Sequence, residues 1–346
     1  MKAFLNKLWQ LKTAKSVVIT VFLSFTLSNN LFAFESNSDD DTFNPGELIM
    51  HHITDDYVWH FVDGKYGTLY LPVILYSEEK GLDIFSSGNF YDEDHKIIPY
   101  NGYILEHKHI TIEGSTSKVY DISITKNVLM LLIIASLILF VFTSVAKGFK
   151  KNVGKAPTGI QSYFEPIIIY IRDEIVKPNI GPKYERYLPY MLTLFFFVWF
   201  GNLLGLIPGA ANLTGNISVT LILAIGTFIL TTVSGTKNYW LHIFNTPGVP
   251  LPLKFIIIPV EIIGVFTKPI SLTVRLFVAI SAGHIVLLSL LLMTFIFHSY
   301  LVGIGSSILV VFITLIELLV ATIQAYIFTM FSSLYIGMAL DEGEDH

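Results

Sequence analysis

Two segments of this chain are too apolar for a water-soluble fold and too long for an ordinary membrane crossing. Residues 255–297 form a run of 43 residues interrupted only by Glu261, Lys268, Arg275 and His284, and residues 304–340 carry a single charge, Glu317. As helices they would measure about 65 Å and about 55 Å, against a hydrocarbon layer of about 30 Å. Ordinary tilts near 20° do not absorb that excess. The two helices must therefore be strongly tilted, bent or partly outside the hydrocarbon, and Pro259 and Pro269 are natural bend sites. A bundle bathed in lipid does not need this shape, whereas a helix pair wrapping along a large partner does.

The rest of the chain fits a polytopic membrane protein. It has 346 residues, 53% hydrophobic and only 14% charged, with a mean hydropathy of +0.62, too apolar for a soluble domain of this size. Shorter apolar runs at 127–146, 188–207 and 217–233 precede the long pair, making five mature spans. The stretch 147–187 reads as a loop with eight Lys and Arg residues, which places it in the cytoplasm by the positive-inside bias. There is no cysteine, so disulfides and thiolate metal sites are excluded.

The N-terminal third is different material. Residues 1–33 run from Lys2, Lys7, Lys12 and Lys15 through an apolar stretch to "SNNLFA", the order of a secretory signal peptide cleaved after Ala33. A first membrane anchor is the alternative, but its apolar part, 17–27, is short for one. Residues 34–125 hold 17 Asp and Glu against 5 Lys, and alternating segments such as "GTLYLPVILYS" predict short strands. The expected organisation is a signal peptide (1–33), an acidic, β-rich extracytoplasmic domain (34–125) and an all-α membrane domain (126–346) ending in a long, strongly tilted antiparallel hairpin. The N-terminal domain then lies in the periplasm and the C-terminus in the cytoplasm.

Polar residues inside the hairpin carry the chemistry. In an antiparallel pair, positions at equal depth share a constant sum of residue numbers, and the pairs Arg275/Gln324 and His284/Glu317 agree within two. Arg275 cannot deprotonate and serves only as a fixed charge, a barrier or a counter-ion. His284 and Glu317 can both exchange protons. Glu317 and Gln324, seven apart, nearly share a helix face; Arg275 and His284, nine apart, lie on opposite faces of an ideal helix unless it distorts around Gly283. Glu261, Lys268 and Arg275 step by sevens from the cytoplasmic end. Plainer readings exist for each: Arg275 snorkelling beside Lys268, Lys268 anchoring at the interface, His284 and Gln324 as interhelical hydrogen-bonding groups, Glu317 neutralising a buried cation. Lys268 is expected as such an anchor, while the matched depths argue against the plainer readings of the depth-matched residues together.

The stretches "PVEIIGVFTKPISLTVRLFVAISAGH" and "LIELLVATIQAYIFTMFSSLYIGMAL", with "FVWFGNLLGLIPG" and "NISVTLILAIG" before them, resemble subunit a of the rotary F-type ATP synthases over residues 157–340. The resemblance implies a stator beside a rotating ring of proteolipid c subunits, with aqueous half-channels carrying protons to and from the ring carboxylates, peripheral-stalk b subunits as further partners, and a bacterial inner-membrane location. It implies that Arg275 faces the ring carboxylate with Gln324 beside it, that His284 and Glu317 form the titratable pair of the non-cytoplasmic half-channel, that Glu261 lies near the cytoplasmic exit, and that Asn202 is a polar residue of the second span. Family members usually read RLFGN or RLFAN where this chain has "RLFVA", so at Ala279 the role of the amide is absent or taken by Ser281.

Such a subunit translocates protons and is not itself catalytic. The chain has no phosphate-cradling GxxxxGK[ST] loop, and no nucleotide, metal, cofactor or nucleic-acid site is expected. The cluster His51, His52, Asp55 and His60 has spacing a metal tolerates but reads as solvent-facing. The sequon at Asn212 falls in a very short loop and is a weak signal. A self-contained secondary transporter or channel is the main alternative, disfavoured because no inverted repeat is visible; a membrane-anchored outer binding domain would leave the hairpin's polar residues unexplained.

Overall fold

The computed structural model describes residues 54–60, 68–92, 97–106, 109–114, 117–207, 209–245, 250–297 and 299–340. The 1–33 signal segment lies outside them, as do His51 and His52 of the histidine cluster. The chain divides into two compact units, one holding Asp56–Lys126 and the other Asn127–His346.

The first unit is built from short antiparallel strands. β1 (Val58–His60) pairs with β2 (Thr68–Tyr70), β3 (Pro72–Ser77) forms a hairpin with β4 (Gly81–Ser86), and β5 (Tyr103–Glu106) forms one with β6 (His109–Ile112). β7 (Val119–Asp121) returns to the free edge of β3, giving a three-stranded sheet in the order β4–β3–β7. Val73 and Leu75, on one face of that sheet, are fully buried with Phe90 and Tyr103 in a core completed by Leu105, Ile110 and Ile112. Tyr103 is anchored by its hydroxyl, which donates to Asp83 Oδ2 at 2.7 Å, as a buried phenol requires.

The second unit is helical. α1 (Lys126–Lys151) is followed by α2 (Ile160–Tyr170), a π-helical turn (Ile171–Val176) and the short α3 (Lys177–Ile180). Residues 147–187, expected as a basic loop, are therefore largely helical. The reason is visible in "IIIYI": apolar residues are interleaved with the basic ones, and Ile171, Ile175 and Val176 are buried. α4 (Tyr184–Gly205), α5 (Ile217–Ser234) and the short α6 (Lys237–Phe244) lead into the long pair α7 (Leu251–Phe297) and α8 (Tyr300–Leu340). By length and composition, five helical stretches can cross a membrane: Lys126–Lys151, Ile160–Gly205, Ile217–Ser234, Pro252–Met293 and Tyr300–Leu340.

At 47 and 41 residues, α7 and α8 extend about 70 Å and about 60 Å. Pro259 and Pro269 both lie inside α7 without ending it; neighbouring helices let membrane helices tolerate proline. The connection is short: α7 ends at Phe297 and α8 begins at Tyr300, taking up Gly303, Gly305, Ser306 and Ser307.

Hydroxyls and amides clip the helices together. Tyr190 of α4 lies 3.0 Å from Thr227 of α5, whose hydroxyl is 3.3 Å from Ser332 of α8. Trp199 Nε1 donates to Thr322 at 3.2 Å. In α8, Gly337 meets the backbone of α3 so closely that a Cβ there would fall 1.9 Å from the Asn179 carbonyl oxygen. Only glycine permits that approach.

Candidate functional site

The antiparallel hairpin sets its polar residues at three levels. At one end Gly283 of α7 faces Glu317 of α8, in the middle Arg275 reaches Phe331, and further along Lys268 lies over the ring of Tyr335. Descending numbers on one helix meet ascending numbers on the other, which is the antiparallel register read from the sequence.

Glu317 is only 7% exposed, and its Oε2 has no hydrogen-bond partner among the described residues. A Cβ at Gly283 would lie 2.6 Å from Glu317 Oε1, so the carboxyl group occupies space that glycine vacates. The half-buried His284 is the next residue along α7. A buried carboxyl without a partner is costly, and such groups inside a membrane protein mark ion pathways.

Arg275 is half-buried, with its guanidinium 4.2 Å from the centre of the Phe331 ring. Among the described residues no carboxylate pairs with it. Its level is displaced from Gln324, the residue matched to it by depth, to Phe331, seven residues later in α8. Long side chains lean toward the N-terminus of their own helix, and in an antiparallel partner that direction means higher residue numbers. The aromatic face contributes on the order of 0.5–2 kcal/mol but leaves the positive charge without a negative partner. Gln324 is half-buried, and no described residue bonds its amide.

Asn202 belongs to a different kind of place. It is 1% exposed; its Nδ2 donates to the Ala321 carbonyl at 3.0 Å, and its Oδ1 accepts from the Thr214 hydroxyl at 2.7 Å. Both ends of the amide are committed, tying α4 to α8 and to the 3-10 turn Leu213–Gly215. Ser281, the candidate substitute for an amide at Ala279, donates to the Gly215 carbonyl at 3.4 Å and ties α7 to the same turn. Asn212, the sequon residue, accepts from Gly215 N at 3.0 Å, and the sequon's Thr214 is fully buried.

Toward the other end of the hairpin, Thr227, Thr231, Tyr239, Lys268 and Tyr335 line a small cavity between α5, α6, α7 and α8. Lys268, expected as an interface anchor, turns into this cavity. Glu261 is half-buried and lies within electrostatic reach of Lys268 and Tyr239. Arg275 acts electrostatically on Tyr335, linking the cavity to the central charge.

Sequence reasoning missed Tyr239, Phe331 and Tyr335. A signal existed for two of them: Glu317, Gln324, Phe331 and Tyr335 follow steps of seven, seven and four, one stripe of α8. Tyr239 lies on a separate short helix and no spacing points to it. Among the described residues no group of His, Asp and Glu is placed to hold a metal.

A multi-pass helical membrane protein organised around a long hairpin that holds, among the described residues, an arginine with no carboxylate and a buried carboxyl group with an oxygen that lacks a hydrogen-bond partner, is of the ion-translocating class. The family described as ATP synthase A chain matches residues 128–337. Residues 48–129 match a second family, described as a domain of unknown function (DUF8433). The chain is 40% identical over 309 residues to ATP synthase subunit a 2 of Chlorobaculum tepidum, covering 87% of this chain and 75% of that protein. It is 42% identical over 301 residues to ATP synthase subunit a of Pelodictyon phaeoclathratiforme, covering 85% and 76%, and 46% identical over 231 residues to that of Chloroherpeton thalassium, covering 66% and 69%. The chain belongs to the ATP synthase A chain family, and its function is that of the proton-channel stator in the membrane sector of the enzyme.

Proposed function

We propose that the α7–α8 hairpin faces the rotating c-ring and supplies two separate aqueous half-channels, with Arg275 as the charge between them. The observation that supports this most is the state of Arg275: a permanent cation on the hairpin, cushioned by Phe331 and without a carboxylate from its own chain among the described residues. A charge inside a membrane costs about 2.5–3.5 kcal/mol on insertion scales. A carboxylate arriving from a partner would offset that cost each time it passes, and a second one would replace it.

In this reading Glu317 and His284 form the titratable station of the non-cytoplasmic half-channel. The Glu317 carboxyl group takes a proton and passes it toward the ring; His284, one residue from Gly283, exchanges with it directly or through water. Gln324 stands between Glu317 and Phe331 on the same stripe and orients the ring carboxylate by hydrogen bonding. The cavity around Lys268, Tyr239 and Tyr335, with Glu261 beside it, forms the cytoplasmic exit. Asn202 is a positioning residue: an amide does not titrate, and both its ends hold the helices in place. Each proton crossing releases about 2.3 kcal/mol per 100 mV, and the fixed Arg275 charge prevents that energy from leaking through a direct path.

The partners are the c-ring, the peripheral-stalk b subunits and the bilayer. The 1–33 segment acts as an export signal, the 34–125 domain stands on the periplasmic side of the bacterial inner membrane, and the C-terminus lies in the cytoplasm. Arg275→Ala tests the mechanism in inverted vesicles carrying the assembled enzyme. ATP-driven acidification should be lost while the complex still assembles; wild-type acidification by that variant overturns the role.

A further inference from the structure

The three-stranded sheet of the first unit carries its acidic side chains, Asp83 and Asp121, on the face that holds Val73 and Leu75, each opposite Leu75 in the register. Its inner face packs on the domain core through Val73 and Leu75. On its outer face the register aligns Ile74 with Ile84, Tyr76 with Leu82 on one side, and Tyr76 with Tyr120 on the other. Ile122, whose N–H donates to the Ile74 carbonyl at 2.9 Å, extends the row. These side chains are open: Leu82 is 61% exposed, Ile84 64%, Tyr120 55% and Ile122 67%. The Tyr76 and Tyr120 rings lie 6.3 Å apart across the strands. An antiparallel sheet with one solvated face normally alternates apolar-in with polar-out. Here no charged side chain stands on the outer face of the three strands, although 34–125 as a whole carries 17 acidic residues. A contiguous exposed patch of this kind marks an interaction surface.

We infer that this face of β4–β3–β7 rests on the lipid surface of the membrane that α1 crosses. A short tether holds it there. Ile122 belongs to the patch, and the spanning helix α1 begins at Lys126, four residues later. Four residues reach at most about 14 Å, so the edge of the patch cannot leave the neighbourhood of the leaflet. The composition matches that place, with branched aliphatic side chains to enter the acyl boundary and tyrosines, which favour the headgroup level with ring down and hydroxyl up. An acidic domain gains nothing from an anionic headgroup, so apolar contact is what holds it, and the surface it fits is a neutral phospholipid one.

The chain has no cysteine, so single labels can be placed in the full-length protein within the assembled enzyme. Leu82→Cys and Ile84→Cys report from β4 and Ile122→Cys from the tether, and Thr111→Cys, exposed on β6, is the control. Each carries an environment-sensitive fluorophore in vesicles of phosphatidylcholine and phosphatidylethanolamine. The labels at 82, 84 and 122 should be quenched several-fold more strongly by nitroxide-bearing lipid than the label at 111, and several-fold less by iodide. Iodide quenching at 82 and 84 equal to that at 111 overturns the inference, because the face is then open to water. Shielding from iodide without quenching by the lipid nitroxide also overturns it, because a protein then covers the face.

Discussion

Polar side chains in the helical unit live under two regimes. Between α4, α5 and α8, Asn202, Thr214, Tyr190, Thr227 and Ser332 bond to one another or to backbone carbonyls. Along the α7–α8 hairpin, among the described residues, Arg275 has an aromatic face and no carboxylate, Gln324 has no bond, and Glu317 keeps one buried oxygen unpartnered. The same residue classes thus act as glue in one place and remain available in the other. A satisfied polar group in a membrane holds helices together for a modest gain. An unsatisfied one is a cost that persists only where something outside the chain completes it.

Mutations can break or sharpen this division. The complete loss of ATP-driven proton pumping expected for Arg275→Ala is the extreme case. Glu317→Gln should leave the enzyme assembled and lower ATP-driven acidification by about tenfold or more, the scale of losing a positioned proton-transfer group; an unchanged rate would remove Glu317 from the path. Gly337→Ala, with a Cβ forced against the Asn179 carbonyl, should lower stability by about 1–3 kcal/mol, read as early loss of the chain from detergent extracts on heating. Asn202→Ala removes the bond to the Ala321 carbonyl and leaves the Thr214 hydroxyl only its 3.4 Å bond to Asn212 Oδ1; it should cost about 1–3 kcal/mol, with pumping per assembled complex falling far less than for Glu317→Gln. If Asn202→Ala instead abolished pumping at unaltered thermal stability, the boundary between the two regimes would be misplaced. The smallest effect is expected for Thr227→Val, which removes two interhelical hydroxyl bonds, to Tyr190 and Ser332, each worth about 0.6 kcal/mol.

Much of the hairpin was legible beforehand because an antiparallel pair obeys simple arithmetic. Depth depends only on residue number, so the level of Glu317 opposite Gly283 and His284 followed from the position of the turn. Arg275 escaped the same arithmetic because its level is set by its head group rather than its Cα. A long side chain reaches a turn or more along the neighbouring helix, and the direction of that reach moved its contact from Gln324 to Phe331. The helices within 147–187 were hidden for another reason. Their apolar turns are short and interleaved with lysine and arginine, so charge count outweighed periodicity.

The amino-acid sequence by itself determined that this chain lives in a membrane, that its last two helices are far longer than a bilayer requires, and which side chains inside them carry charge or a proton. Those conclusions rest on length, hydropathy and residue type, properties of the chain that survive without coordinates. Tertiary structure alone decided which polar groups are already satisfied. Asn202 and Glu317 look equally out of place in an apolar run, and only the packing of α4, the Leu213–Gly215 turn and α8 shows that one has two partners and the other an oxygen with none among the described residues. Whether a buried polar group is satisfied depends on neighbours on other elements, for Asn202 as far away as Ala321, and periodicity along one helix carries no record of them.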